Sequence, residues 1–283
     1  KDATKEPVKY LWYVGDFASF NQNCQDTTRK VAEVLTAAGV DFGIMGKKEK
    51  SAGNDVRRAG EEGLFEVLAE QNIEMLEKCD FEEIFTTDPH TFNTLKNEYP
   101  VKGGNYSVKH YSTLLLELIK SGDIELKKKL DIKATYHDPC YLGRYNGIYD
   151  DPRDVMELCG IDLVEMPRNK ENSFCCGAGG GRVWLPDHDD MTQRPSENRI
   201  EEAVAVGVNN FTVACPKDMT MYADAAKTSG NEDNMAVKDI IDFVLEAMDL
   251  PEEVEEPEPI AEEVVPVENT SESIDKNVSG DEE

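Results

Sequence analysis

The sequence predicts an α/β chain of two tandem repeats with parallel-rich sheets, followed by a disordered acidic tail. Three observations carry this. Short β-rich runs alternate with amphipathic helical runs across residues 8–248, the pattern of parallel strands joined by helical crossovers. The alternation restarts near residue 132, and the loops of the two halves keep nearly the same spacing. From Pro251 the chain turns to Glu and Pro, with no aromatic residue. The expected divisions are 1–125, 126–250 and 251–283.

The elements follow in order. Val8 to Val14 is β-branched and aromatic and stops at Gly15, so it reads as a buried strand. Gln22 to Ala38 places Val31, Val34, Leu35 and Ala38 on one helical face, and Gly39 ends it. Val40 to Met45 is the next strand. Gly60 to Leu76 is a helix with Leu64, Val67, Leu68, Ile73 and Leu76 inward. Phe81 to Thr86 is a strand, after which Asp88-Pro89 opens a helix with proline at its first position. Tyr111 to Ile119 is a further apolar helix. In the second half, Ile132 to His137 is a strand, Asp151 to Leu158 a helix, and Asp162 to Glu165 a short strand. Glu197 to Val206 is helical, and Asn210 to Ala214 is a strand. Pro216 opens a helix reaching about Lys227, and Ala236 to Met248 reads as one last amphipathic helix.

Counting supports a duplication. Thirty-four residues lie between Asp16 and Ser51, and thirty-four between Cys140 and Cys175. Ser51-Ala52-Gly53 thus aligns with Cys175-Cys176-Gly177, and Asp88-Pro89-His90-Thr91 with Cys215-Pro216-Lys217-Asp218. The gaps leading to these last sites are 35 and 38 residues. In the first half the cysteine positions hold Asp16, Ser51, Ala52, Asp88 or Thr91.

Composition narrows the partners. The 283 residues carry a net charge of −28, and 39% are hydrophobic, enough for a real core. The charge argues against nucleic acid and anionic membrane surfaces as partners, since both need a positive footprint. Residues 251–283 hold 13 acidic residues against Lys276, a net −12, which leaves −16 for the rest. That tail cannot bury enough to offset chain entropy and reads as disordered. No apolar run approaches the ~20 residues of a membrane span, and the start has no secretory pattern. A cytoplasmic location is expected, with any membrane association made through partners. The first residue is Lys1 rather than methionine, so a processed product or a piece of a longer protein is expected.

Seven cysteines are present, at 24, 79, 140, 159, 175, 176 and 215. Cys24, Cys79 and Cys159 are expected as free buried thiols. The other four fall in motifs. Cys175 and Cys176 are adjacent and are followed by Gly177-Ala178-Gly179-Gly180-Gly181, which permits a tight wrap. A vicinal disulfide would strain the backbone. Cys140 and Cys215 each follow a strand, at the sheet edge where open α/β folds bind ligands. Four soft thiolates select zinc, copper(I) or an iron–sulfur cluster. Asp218, one helical turn after Cys215, is a candidate further ligand or supporting group. The helix start behind Cys215 would stabilise a thiolate, and Arg144 and Arg182 are candidate counter-charges. Structural zinc sites favour Cys-x-x-Cys knuckles, which are missing here, and a disulfide enzyme would want a resolving pair. The residue chemistry alone leaves zinc, a dithiol, unligated buried thiols and an iron–sulfur cluster open. Asp88 and His90 are minor candidates, with helix capping the simpler role for Asp88.

The order Cys140, then Cys175-Cys176-Gly177, then Cys215-Pro216 resembles the cysteine-rich CCG domain of heterodisulfide reductase catalytic subunits and of iron–sulfur subunits of glycolate and lactate oxidation. His137-Asp138-Pro139-Cys140-Tyr141-Leu142-Gly143-Arg144 and Asn172-Ser173-Phe174 match its surroundings, as does Met219-Thr220-Met221. The first half resembles such a domain through Gly60-Glu61-Glu62-Gly63-Leu64-Phe65 and Asn93-Thr94-Leu95-Lys96-Asn97-Glu98-Tyr99-Pro100. The likeness covers about residues 8–248.

The resemblance implies two α/β repeats with iron–sulfur clusters at the cysteine motifs, used for electron transfer or disulfide reduction. This chain departs twice: its first repeat holds none of the ligands, and Asp218 stands where the family's last cysteine would be. One cluster of [4Fe–4S] type, held by Cys140, Cys175, Cys176 and Cys215, is therefore expected, with Asp218 as an additional candidate. Many relatives carry a ferredoxin-type domain with close Cys-x-x-Cys-x-x-Cys runs. Here such a domain would sit on a removed N-terminal part or another subunit. The expected function is an iron–sulfur electron-transfer subunit or domain of a heterodisulfide-reductase-like oxidoreductase complex. It would relay electrons to or from a flavoprotein or ferredoxin-like partner. The alternatives are a thiol/disulfide reductase acting at the cluster and a clusterless assembly scaffold.

Overall fold

The computed structural model describes residues 1–187 and 190–250, and the acidic tail expected from Pro251 lies outside them. The first half runs β1 (Val8–Trp12), α1 (Asp16–Phe20), α2 (Gln22–Ala37), β2 (Phe42–Gly43), α3 (Asn54–Arg58), α4 (Glu62–Leu76), β3 (Phe81–Thr86), α5 (Pro89–Asn93), β4 (Val108–His110) and α6 (Tyr111–Ser121). The second runs β5 (Ile132–Tyr136), α7 (Asp150–Leu158), β6 (Ile161–Leu163), α8 (Pro195–Ala205), β7 (Asn210–Val213), α9 (Pro216–Thr228), β8 (Ala236–Asp239) and α10 (Ile240–Met248).

Each half forms a four-stranded sheet, ordered β2-β1-β3-β4 and β6-β5-β7-β8, and the pairings are parallel. The same order in both halves is what a duplicated unit requires. In each sheet the strand order reverses between its two central strands, the switch point where α/β folds open a crevice at the carboxyl edge.

Strand alternation sorts side chains into three cores. Tyr10 and Trp12 of β1 face a central cluster, while Leu11 and Tyr13 face an outer one with Phe65, Leu76 and Tyr99. The central cluster also takes Val31, Val34 and Leu35 of α2, Leu114 and Leu118 of α6, and Val155, Ile241 and Val244 from the second half. The two repeats therefore share one core through their helices. A third cluster, with Ile200, Phe211 and Tyr222, covers the far face of the second sheet. Polar pairs reinforce the junction. Tyr111 Oη donates to Asp239 Oδ1 at 2.6 Å, and Lys30 Nζ to Asp242 Oδ1 at 2.7 Å.

Several expectations need correction. Ala236–Asp239 is a strand rather than the first turn of a helix reaching Met248. It runs into α10 without a turn residue, and Asp239 caps that helix by accepting from Ile241 N at 3.0 Å. β4 is the equivalent strand of the first half and was not expected; it ends at His110, whose side chain caps α6. β1 stops at Trp12, and β2 is two residues long. Among the described residues no helix is long and apolar enough to cross a membrane.

Candidate metal centre

Register brings the Cys140 and Cys215 loops to the ends of neighbouring strands. β5 and β7 are adjacent, with Tyr136 opposite Thr212. Cys140 is four residues past Tyr136, and Cys215 three past Thr212. In the first sheet Trp12 stands opposite Phe85, and Asp16 and Asp88 follow these by the same four and three residues. Asp16, Ser51, Ala52, Asp88 and Thr91 line one small pocket together. Four of these are the positions that counting aligned with the cysteines and Thr91 is the one aligned with Asp218, and Lys217 of α9 joins the lining.

The Cys175-Cys176 segment is pinned onto the Cys140 turn. Asp138 takes a bidentate pair from Arg153, at 2.6 and 2.9 Å, and accepts from Lys170 N at 2.7 Å. Ser173 Oγ donates back to the Asp138 carbonyl at 3.1 Å, and Arg144 donates to the Ser173 carbonyl at 2.6 Å. The following glycine wraps the backbone round the sulfurs: Gly177 N donates to Cys175 Sγ at 3.3 Å, and Ala178 N to Cys176 Sγ at 3.4 Å. Gly177 adopts φ +88, a left-handed backbone that side chains disfavour, while a Cβ there would meet Pro195 at an ordinary 3.4 Å.

All seven cysteines are free. Cys176 and Cys215 are buried, Cys140 is half-buried and Cys175 is exposed. Burial pushes the Cys140 thiol up to about 12 and raises Cys215 as well. Cys175 goes the other way, because the Cys176 thiol donates to it and Gly177 N and Arg144 add to the effect. Arg182, the other expected counter-charge, pairs with Asp187 at 2.9 Å. Among the cysteines expected to be structural, Cys24 and Cys159 are buried, whereas Cys79 is half-buried just past the end of α4.

Asp218 is the hub of the set. It is 2% exposed, and its charge reaches all four thiols. Burial, opposed by the Cys176 thiol, pushes its carboxyl up to about 7. Its Oδ2 has no hydrogen-bond partner among the described residues. His137 Nε2 stands 3.6 Å away, beyond hydrogen-bond distance. Burial, with Arg199 beside the ring, holds His137 well below its usual range and therefore neutral. An unpaired buried carboxylate oxygen among four sulfurs is costly in the bare protein. It fits a site built round a positively charged inorganic group, and the all-thiolate donor set fits iron–sulfur chemistry better than a hard cation.

The first repeat also contributes. His90 packs against Tyr141 with the rings tilted by 42° and their centroids 4.5 Å apart, and Arg58 Nε donates to Tyr141 Oη at 2.9 Å. Cys24 Sγ donates to the Pro216 carbonyl at 3.1 Å. Asp88 does cap its helix, accepting from His90 N and Thr91 N. Sequence reading left Lys217 and Tyr141 without a role, although each adjoins a cysteine motif. A cavity of about 290 Å³ opens beside Gly177, and another of about 630 Å³ lies at the first sheet, lined by Trp12, Asp16 and Glu49 among others. The larger one is remote from the thiols.

A family model described as the cysteine-rich CCG domain matches residues 13–96 and 134–219. The chain is 40% identical over 251 residues to the probable iron-sulfur-binding oxidoreductase FadF of Bacillus subtilis, covering 88% of this chain and 35% of that protein. It is 37% identical over 246 residues to the EtfAB:quinone oxidoreductase of Syntrophomonas wolfei, covering 85% and 34%. It is 32% identical over 257 residues to one of the subunits of the dihydromethanophenazine:CoB–CoM heterodisulfide reductase of Methanosarcina mazei, covering 87% and 60%. The chain thus spans about a third of the length of the first two relatives.

Proposed function

Because the chain belongs to the cysteine-rich CCG domain family, with two repeats of that domain, we propose that it is the electron-relaying CCG part of an iron–sulfur oxidoreductase. Residues 126–250 would hold one [4Fe–4S]-type cluster through Cys140, Cys175, Cys176 and Cys215. Residues 1–125 would form a repeat without cysteine ligands to the cluster that serves as scaffold and docking surface. The observation that supports this reading most is Asp218, buried and with Oδ2 unpartnered, one turn into the helix that Cys215 precedes.

A bound cluster would store and release one electron at a time. The chain's own residues do the rest. Gly177 N and Ala178 N donate to the vicinal sulfurs, and Arg144 offsets thiolate charge near Cys175. The protein around Cys176 and Cys215 keeps water from that side, while the exposed Cys175 brings the site's edge to the surface where a partner would dock. The donor or acceptor would be a flavoprotein or ferredoxin-like partner, in keeping with relatives named for EtfAB and for heterodisulfide reductase. Any attachment to a membrane would come through such partners.

A second reading is thiol/disulfide reduction at the site itself, favoured by the cavity of about 290 Å³ beside Gly177. Stopped-flow oxidation of the reduced, iron-loaded chain separates the two. The relay predicts rapid bleaching by an oxidised flavoprotein and none by a small disulfide. Bleaching by the disulfide with release of thiols would overturn it.

A further inference from the structure

His90 belongs to the first repeat, yet it stands in the cysteine site of the second. It follows Asp88 and Pro89 at the start of α5 and is 3% exposed. Its Nδ1 lies 3.0 Å from Asp88 Oδ1. Its other ring nitrogen, Nε2, is buried and has no hydrogen-bond partner among the described residues. That nitrogen faces the loop following the vicinal cysteines, since a Cβ on Gly179 would sit 3.9 Å from it. One ligand atom each of His90, Asp88 and Cys215 lies within 4.8 Å of the others. The imidazole thus stands near the Cys215 sulfur and beside the loop that follows Cys175-Cys176.

The role of Asp88 follows from its other bonds. Oδ1 accepts from His90 N as well as facing the ring, and Oδ2 accepts from Thr91 N and Thr91 Oγ1, the latter at 2.8 Å. Both carboxylate oxygens are engaged, so Asp88 orients rather than ligates. A carboxylate on one ring nitrogen places the proton on Nδ1 and leaves the lone pair on Nε2. This is the arrangement in which histidines bind metals, with the carboxylate holding tautomer and ring angle. The ring is further fixed by Tyr141, which Arg58 of the first repeat holds by its hydroxyl. A helix-capping role accounts for Asp88, but it does not account for a buried imidazole nitrogen beside the cysteine loops without a partner.

Resting on the cluster reading above, we propose that His90 Nε2 is a nitrogen ligand contributed by the first repeat to the iron–sulfur site of the second, oriented by Asp88. The repeat without cysteine ligands is then part of the metal centre itself. The site has five donors, four sulfurs and one nitrogen, drawn from both sheet edges.

The test uses the full chain, loaded anaerobically with iron and sulfide and grown with natural or ¹⁵N-labelled histidine. Pulsed EPR of the paramagnetic form is expected to show a nitrogen coupling of the size of a directly bonded imidazole, changing pattern with the label. It should vanish in His90→Gln and persist in His137→Gln, which alters the other buried imidazole near Asp218. A wild-type cluster without that coupling would overturn the proposal, and so would a coupling that survives His90→Gln. If His90→Gln takes up no iron, the label experiment in wild type and in His110→Gln, His137→Gln and His188→Gln still decides, because a coupling that persists in all three can come only from His90. A wild-type chain that takes up no iron would overturn the cluster reading, and this inference with it. A cluster with sulfur ligands only would leave that reading standing and sink this one.

Discussion

Lys217 Nζ donates to Asp55 Oδ1 at 2.6 Å, across the junction of the two repeats. The ammonium is 3% exposed and enters the pocket lined by Asp16, Ser51, Ala52, Asp88 and Thr91. A cation from the second repeat therefore occupies the place in the first repeat that corresponds to the cysteine site. Replacing it should strand buried carboxylates. Lys217→Met is expected to cost about 3 kcal/mol, because breaking one side of a buried pair leaves a charge without compensation. Lys217→Met with Asp55→Asn should recover part of the loss. Urea midpoints of the three chains measure this, and an unchanged midpoint for Lys217→Met would refute it.

Gly177→Ala should damage the centre more than the fold. The φ of +88 disfavours a side chain, and the added methyl meets Pro195 at 3.4 Å. A backbone penalty of roughly 1–2 kcal/mol is expected, with a small fall in Tm. The larger effect should be on iron retention, since the Gly177 N–H to Cys175 Sγ bond would be displaced. Full iron content in the variant would contradict this.

In the metal-free chain Cys175 should be the first thiol to react. It is exposed, and its thiol is lowered by the Cys176 hydrogen bond and then by Gly177 N and Arg144, while burial raises Cys24, Cys140 and Cys159. Iodoacetamide at pH 7 followed by peptide mapping should find Cys175 alkylated about tenfold faster than the rest, because thiolate is the reactive form. Cys176→Ala should slow it most, and Arg144→Gln less. Faster modification of Cys140 would be the wrong result.

Asp239 supplies a pH dependence that does not involve the metal centre. Burial pushes its carboxyl up to about 7, while Ile241 N and the Tyr111 hydroxyl act against that rise. An acid whose folded-state value lies above its unfolded value stabilises most when protonated. Its contribution is full below about pH 4 and is lost as pH rises through about 7. Asp239→Asn keeps an oxygen for Tyr111 and for the α10 cap, so it should gain on the wild type as pH rises from 5 to 8. The relative gain should be roughly 2–4 kcal/mol. Parallel stability curves for the two chains would remove Asp239 as the cause.

The sequence made the loops of the site legible because local signals mark them. β-rich runs end at Pro139-Cys140 and Cys215-Pro216, and equal spacing between motifs reveals the duplication, down to the five residues that line the first repeat's pocket. What it concealed is of two kinds. β4 and β8 are short, partly exposed strands that pass directly into helices, so no turn residue announces them. The second kind is long-range. That the two repeats share one core, that Lys217 enters the first repeat's pocket and that His90 lies near Cys215 depend on how the sheet edges meet. No local periodicity encodes that.

The central claim is tested most directly by iron and acid-labile sulfide content, with EPR, on the chain purified without air and on Cys175→Ser. The account predicts about four irons and as many sulfides per chain, with a cluster signal that Cys175→Ser loses or alters. Zinc, or no metal with four titratable thiols at Cys140, Cys175, Cys176 and Cys215, would contradict it.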